Sequence, residues 1–234
     1  MTRPYDILLL DADNTLLDFS RSEKNALDIT FRHYGLTITD EIRALYHTIN
    51  RGLWAAFERG EISKETITAT RFSRLFAETG HAVDGTAFSR DYQKTLGEGY
   101  DLIDGAKALC EALAGKYRLY CVTNGVAVTQ YSRLARSGLD TCFDGIFVSE
   151  TIGHQKPDIA YFRAVFNAIP HFSPDKTLIV GDSLTSDIQG GKNAGIATCW
   201  YNPGGQKAEP PLAPDHEIRT LNELHAILEN PRPL

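Results

Sequence analysis

The chain has 234 residues, 42% hydrophobic and 23% charged, which is enough apolar material for a buried core and gives no bias toward disorder. Its formal net charge is −6 and no Lys/Arg cluster lays a basic stripe along one face, so a nucleic-acid polymer is not an expected partner, whereas a small anionic ligand is. The four cysteines, Cys110, Cys121, Cys142 and Cys199, form no C-x-x-C pair and have no histidine grouping beside them; zinc is not expected, and they read as small buried hydrophobes.

The first apolar run, residues 7–10, lies between Asp6 and Asp11. It is too short for a signal peptide or a membrane span and reads as a buried strand, so no membrane partner is expected and the cytoplasm is the default location. From residue 17 to residue 99 the pattern is helical, with helices expected at 23–34, 40–58, 64–78 and 86–96, each followed by a glycine suited to a left-handed cap. That interval is far longer than one crossover, and it reads as an inserted all-helical cap domain. Beyond it, apolar runs at 119–122, 146–148, 178–180 and 197–200 alternate with helical stretches at 106–113, 129–136 and 157–168. This alternation predicts an α/β fold, a doubly wound parallel sheet built from residues 1–16 and 100–234. Residues 203–214 form a Gly/Pro-rich loop.

In an open parallel sheet, ligands bind outside the carboxyl ends of the strands, so the residues that follow each apolar run form the candidate site. They are Asp11 and Asp13, then Thr123-Asn124-Gly125, then Lys156, then Asp182 with Asp187 farther on. Four carboxylates at one sheet edge repel one another unless a cation sits among them, and oxygen-only ligands call for a hard ion, Mg²⁺ by default with Mn²⁺ as a substitute. Asp11 and Asp182 are the expected direct side-chain ligands, with Asp187 acting through water. Asp11 then keeps one oxygen for attack on phosphorus, giving an aspartyl-phosphate. Asp13 stands where it can protonate the leaving alkoxide and later deprotonate water. The Thr123 hydroxyl, the Asn124 backbone N–H and the Lys156 ammonium suit the phosphoryl oxygens. Gly125 and Gly181 are expected at tight turns near the ligand.

The segments Asp11-Ala12-Asp13-Asn14-Thr15-Leu16, Val122-Thr123-Asn124-Gly125, Gln155-Lys156-Pro157-Asp158 and Val180-Gly181-Asp182-Ser183-Leu184-Thr185-Ser186-Asp187 resemble, in order, the four motifs of haloacid-dehalogenase-type phosphatases. The resemblance implies Asp11 as nucleophile, Asp13 as acid and base with its backbone carbonyl on Mg²⁺, Thr123 and Lys156 on phosphate, and Asp182 on the metal. Asn50-Arg51-Gly52-Leu53-Trp54 in the cap, Ser149-Glu150, and residues 190–200 look more narrowly like the bacterial noncanonical pyrimidine 5′-nucleotidases. That likeness implies a small phosphate monoester as substrate, a nucleoside monophosphate; a monomer or homodimer is expected.

Trp54, with Leu53 and Phe57 at helical spacing, suits either packing between cap helices or stacking on a nucleobase, to which Asn50, Arg51 or Arg71 would add hydrogen bonds. Closure of the cap over substrate would exclude water and supply such specificity contacts. Rival readings are a calcium loop at Asp11, a carbon–halogen hydrolase, a sugar-phosphate phosphatase, a phosphomutase and a non-catalytic metabolite sensor. Leu16 stands where a calcium loop needs glycine, and Asp13 with Asp182 argues against the halide chemistry.

Overall fold

In a computed structural model that describes residues 3–208, 210 and 212–229, the apolar runs become parallel strands of one sheet. These are β1 (Ile7–Leu10), β2 (Arg118–Thr123), β3 (Gly145–Val148), β4 (Thr177–Gly181), β5 (Ala197–Tyr201) and β6 (His216–Ile218). Their order is β3-β2-β1-β4-β5-β6, with every pairing parallel. The chain runs outward from β1 to β2 and β3, then returns to the other side of β1 for β4. The strand order therefore reverses at β1, and a crevice is expected outside its carboxyl end.

The described residues divide into two units, one of the residues up to Phe19 and from Tyr100 onward, the other Ser20–Gly99. This boundary falls later than the residue 17 read from the sequence. Leu17 belongs with the sheet unit because it bridges to Asp13 and to Leu102. The second unit holds α1 (Phe19–His33, apart from its first residue), α2 (Asp40–Glu58), α3 (Lys64–Thr79) and α4 (Gly85–Glu98). Thr39, Ser63 and Asp84 cap the last three through side-chain oxygens. Phe88 collects Phe31, Phe72 and Phe76 at ring-centroid distances of 5.1, 4.7 and 5.0 Å, which ties three of the helices together.

Around the sheet lie α5 (Ala106–Leu113), α6 (Ala127–Ser137), α7 (Ser149–Ile152), α8 (Ile159–Ala168), α9 (Gln189–Ala194) and α10 (Leu224–Glu229). Alternation along β1 explains its unbroken apolar run. Leu8 and Leu10 pack with Leu109 and Leu113 of α5, Leu134 of α6 and Leu224 of α10, while Ile7 and Leu9 pack with Tyr161, Phe162 and Val165 of α8. Each such side chain is worth about 1.5–3 kcal/mol of burial. The helix expected from residue 157 begins at Ile159, because Asp158 takes the capping position and accepts from the Ala160 N–H. Strand β6, α7, α9 and α10 were not expected from the sequence; β6 follows the Gly/Pro-rich loop, whose residues 209 and 211 lie outside the described ones. No helix among the described residues is long and apolar enough to cross a membrane. The cysteines are free thiols, with Cys110, Cys121 and Cys199 buried.

Candidate active site

Beyond β1 the backbone keeps its sheet pairing for one more residue, the Asp11 N–H donating to the Val180 carbonyl at 2.9 Å. It then curls, with the N–H groups of Leu16 and Leu17 donating to the Ala12 carbonyl at 2.9 and 2.8 Å. The curl places Asn14 at φ 59°, a left-handed conformation that Asn tolerates and branched residues do not. Because a strand precedes this loop, the calcium-loop reading falls. Fully buried Thr15 fastens the curl to β4, its hydroxyl donating to Asp11 Oδ2 at 3.2 Å and accepting from the Asp182 N–H at 3.1 Å.

Lys156 reaches into the same place from the loop after α7. Its ammonium donates to Asp11 Oδ1 at 2.6 Å, Asp187 Oδ1 at 2.6 Å and the Val122 carbonyl at 2.8 Å, which uses all three protons. Burial alone would depress this ammonium, but Asp11 and Asp187 outweigh it and hold it well above its usual range. The Asn124 amide clamps the lysine's backbone from both sides, accepting from its N–H and donating to its carbonyl, each at 2.9 Å. Asp187 completes the bracket by accepting from the Ser183 N–H at 3.1 Å.

Asp11, Asp182 and Asp187 each offer an oxygen within 4.8 Å of the others, an all-carboxylate set suited to a hard divalent cation. Burial first, then the neighbouring carboxylates, push Asp182 up to about 8. Asp11 is likewise pushed up by burial to about 7, against the pull of Lys156. The Asp182 backbone is pinned by Trp200, whose indole N–H donates to its carbonyl at 2.8 Å.

Thr123 ends β2 with its hydroxyl oxygen accepting from the Gly125 N–H at 3.1 Å and from Gln130 Nε2 at 2.9 Å. Two donors occupy both lone pairs and leave its proton to donate elsewhere. Gln130 Nε2 also donates to Asp13 Oδ2 at 3.0 Å, and the guanidinium of fully buried Arg133 pairs with Asp13 Oδ1. Gly125 lies at a bend, as expected, whereas Gly181 is the last residue of β4 and not a turn. Neither has a positive φ. A Cβ at Gly125 would come within 2.5 Å of Gln130, and one at Gly181 would overlap the Asp187 carboxyl. Both glycines make room for a side chain.

The sheet unit thus brings together Asp11, Asp13, Thr123, Asn124, Gly125, Lys156, Asp182 and Asp187. Asn50, Trp54 and Arg71 lie in the other unit. Trp54 rests edge-on against Phe57 at 5.6 Å beside Leu53 and Ile67, as packing requires. Asn50 is buried and donates to Glu23 Oε1 at 3.3 Å, while its own carbonyl oxygen has no hydrogen-bond partner. Buried Arg71 lies over the Phe72 and Tyr92 rings, with Nε and one terminal nitrogen lacking hydrogen-bond partners.

Sequence reading missed Thr15, Gln130, Arg133, Glu150 and Trp200. Thr15 stands inside a quoted motif and was legible. Glu150 accepts from the Ala127 N–H at 2.6 Å and so caps α6, a contact that its place in the Ser149-Glu150 pair did not reveal.

Residues 8–201 match the family described as haloacid dehalogenase-like hydrolase. The chain is 48% identical to the HAD-hydrolase YfnB of Bacillus subtilis over 96% of this chain and 95% of that protein. It is 40% identical to the pyrimidine 5′-nucleotidase PynA of Streptococcus pneumoniae over 96% and 95% of the two chains, and 31% identical to the pyrimidine 5′-nucleotidase YjjG of Escherichia coli over 96% and 98%. A crystal structure of YfnB bound to magnesium, in which interdomain movement is described, superposes with a TM-score of 0.91 over 97% of this chain and 99% of that one. With its site residues gathered at the switch point of the sheet, the chain belongs to the haloacid dehalogenase-like hydrolases and is an enzyme of that family.

Proposed function

We propose that the enzyme is a magnesium-dependent phosphomonoesterase that works through an aspartyl-phosphate on Asp11, with pyrimidine nucleoside 5′-monophosphates as its substrates. One observation carries the reading: Asp11, at the end of the central strand, has one oxygen held by Lys156 and the other by Thr15, with Asp13 two residues away. The resemblance to PynA and YjjG, both pyrimidine 5′-nucleotidases, supports the substrate class.

In the first half-reaction an Asp11 oxygen attacks phosphorus, the ester P–O bond breaks, and the departing oxygen takes a proton from Asp13. In the second, water attacks the acyl phosphate, gives a proton to Asp13, and releases inorganic phosphate with Asp11 regenerated. The Thr123 hydroxyl and the Asn124 backbone N–H would donate to the phosphoryl oxygens beside Gly125, and the Lys156 ammonium, its protons held by Asp11, Asp187 and the Val122 carbonyl, adds positive charge next to them. Asp11, Asp182 and Asp187, with the Asp13 backbone carbonyl, would hold Mg²⁺ or Mn²⁺, which when bound neutralises charge between these carboxylates and the substrate phosphate. Asn50 and Arg71 are proposed for substrate selection, since each carries buried polar atoms without a hydrogen-bond partner. Trp54 belongs to the same proposal as a stacking surface.

A phosphate-release screen tests the reading. Pyrimidine nucleoside monophosphates should exceed sugar phosphates in kcat/KM by roughly tenfold or more, the scale of one or two specific contacts. Preference for sugar phosphates would remove the nucleotidase part, and no release from any monoester would remove the whole.

The carboxylate cluster also makes metal binding depend on pH. Asp11 and Asp182 have folded values raised above the ordinary carboxylate value of about 4, so without metal they cost stability progressively as pH rises from about 4 toward the raised values of about 7 and about 8. A divalent cation binds the ionised forms. The rise in melting temperature on adding MgCl₂ should therefore be larger near pH 8 than near pH 5. An equal rise at both would count against this cluster as the metal site.

A further inference from the structure

We propose that Gln130 and Arg133 of α6 are positioning residues that hold the Asp13 carboxylate for proton transfer, with Gln130 tying it to the Thr123 hydroxyl. The inference rests on the phosphatase reading above and extends it to side chains outside the quoted motifs. Asp13 lies within the curl that follows β1, and its side chain is partly exposed. Two donors from one helix hold it: Gln130 takes Oδ2 at 3.0 Å and Arg133 takes Oδ1.

Position 130 and position 133 are three apart on α6 and share one face, and Arg133 further donates to Gln130 Oε1 at 3.3 Å, which settles the amide's orientation. The Gln130 amide then spends its nitrogen on two acceptors, Asp13 and Thr123. Arg133 is fully buried and lies 5.6 Å from the Phe19 ring, and a guanidinium is rarely buried without a carboxylate to meet. A carboxylate oxygen has two lone pairs, so each Asp13 oxygen keeps one for the proton in transit. Gly125 is part of the device, because a Cβ there would collide with the Gln130 side chain. When the ester P–O bond breaks, its electron pair goes to the leaving oxygen, which takes the Asp13 proton. The placement of that proton is what the pair controls.

The test compares two esters by kcat/KM, which covers every step through departure of the leaving group. The 5′-oxygen of a nucleoside monophosphate would depart as a strongly basic alkoxide and so needs the proton; the leaving group of p-nitrophenyl phosphate is a stable phenolate and does not. Gln130→Leu and Arg133→Lys should shift the ratio between the esters against the nucleotide, by on the order of 10- to 100-fold, as a misplaced general acid does. Asp13→Asn should shift the ratio the same way, and adding Gln130→Leu to it should change the ratio little further. If Arg133→Lys does not fold, Gln130→Leu, which removes no buried charge, carries the test. Equal losses on both esters, or no loss, overturn the inference alone. A wild type that cleaves neither ester overturns the phosphatase reading and this inference with it.

Discussion

Asp11→Asn should abolish phosphate release from every monoester while the protein stays folded, a fall on the order of 10³-fold or more. At 1.36 kcal/mol per decade this is at least ~4 kcal/mol of lost transition-state stabilisation. The amide keeps the shape of the carboxylate, so Lys156 and Thr15 still find an oxygen and a neighbour of the same size. It lacks the negative oxygen that attacks phosphorus. Burial already pushes the Asp11 carboxyl up to about 7, so removing its charge relieves a cost at neutral pH that offsets the weakened contact with Lys156. Thermal melts without metal should therefore agree with wild type within a few degrees, about 1 kcal/mol either way. Phosphate release at wild-type rates from the variant would exclude Asp11 as nucleophile. Low activity together with a collapsed melt would make the residue structural.

The sheet and its acidic edge were legible because each depends on residues close together in sequence. An unbroken apolar run between Asp6 and Asp11 is what a strand buried on both faces requires, and β1 is Ile7–Leu10 as expected. The carboxylates follow such runs directly, so strand ends located them. What escaped notice depends on distance along the chain. Gln130 and Arg133 meet Asp13 across 117 and 120 residues, and an arginine in a helix is by default a surface residue. The periodicity of α6 gave its helix but not the pairing of its polar positions with Asp13. Gly125 and Gly181 read as turn formers because their local context is a loop. The side chains that need their space, Gln130 and Asp187, come from the helical turns that follow. Strand β6 is three residues long, too short for a periodic signal to form.

Lys156→Met should destabilise the protein in a pH-dependent manner as well as inactivate it. Lys156 is fully buried and pairs with Asp11 and Asp187 at 2.6 Å each, so the variant strands two buried carboxylates with no cation beside them. Removing one partner of a buried ion pair costs about 3–5 kcal/mol, which for a chain of this size lowers the melting temperature by roughly 10 °C. The sign with pH follows from which groups change. In wild type the lysine's folded value is raised, so its contribution is complete at neutral pH and is lost only as pH climbs through that raised value. In the variant Asp11 and Asp182, which burial raises and Lys156 pulls down, lose that pull and are raised further above the ordinary value of about 4. Their cost is absent below about pH 4 and grows as pH rises through the neutral range. The gap in melting temperature between wild type and variant should thus be widest near pH 8 and narrow toward pH 5. Saturating Mg²⁺ should close part of it at pH 8 by replacing the missing positive charge, without restoring phosphate release. A gap that is constant across this range would mean that the methionine disturbs packing alone, and that the ion pairs of Lys156 with Asp11 and Asp187 do not hold the strand ends together.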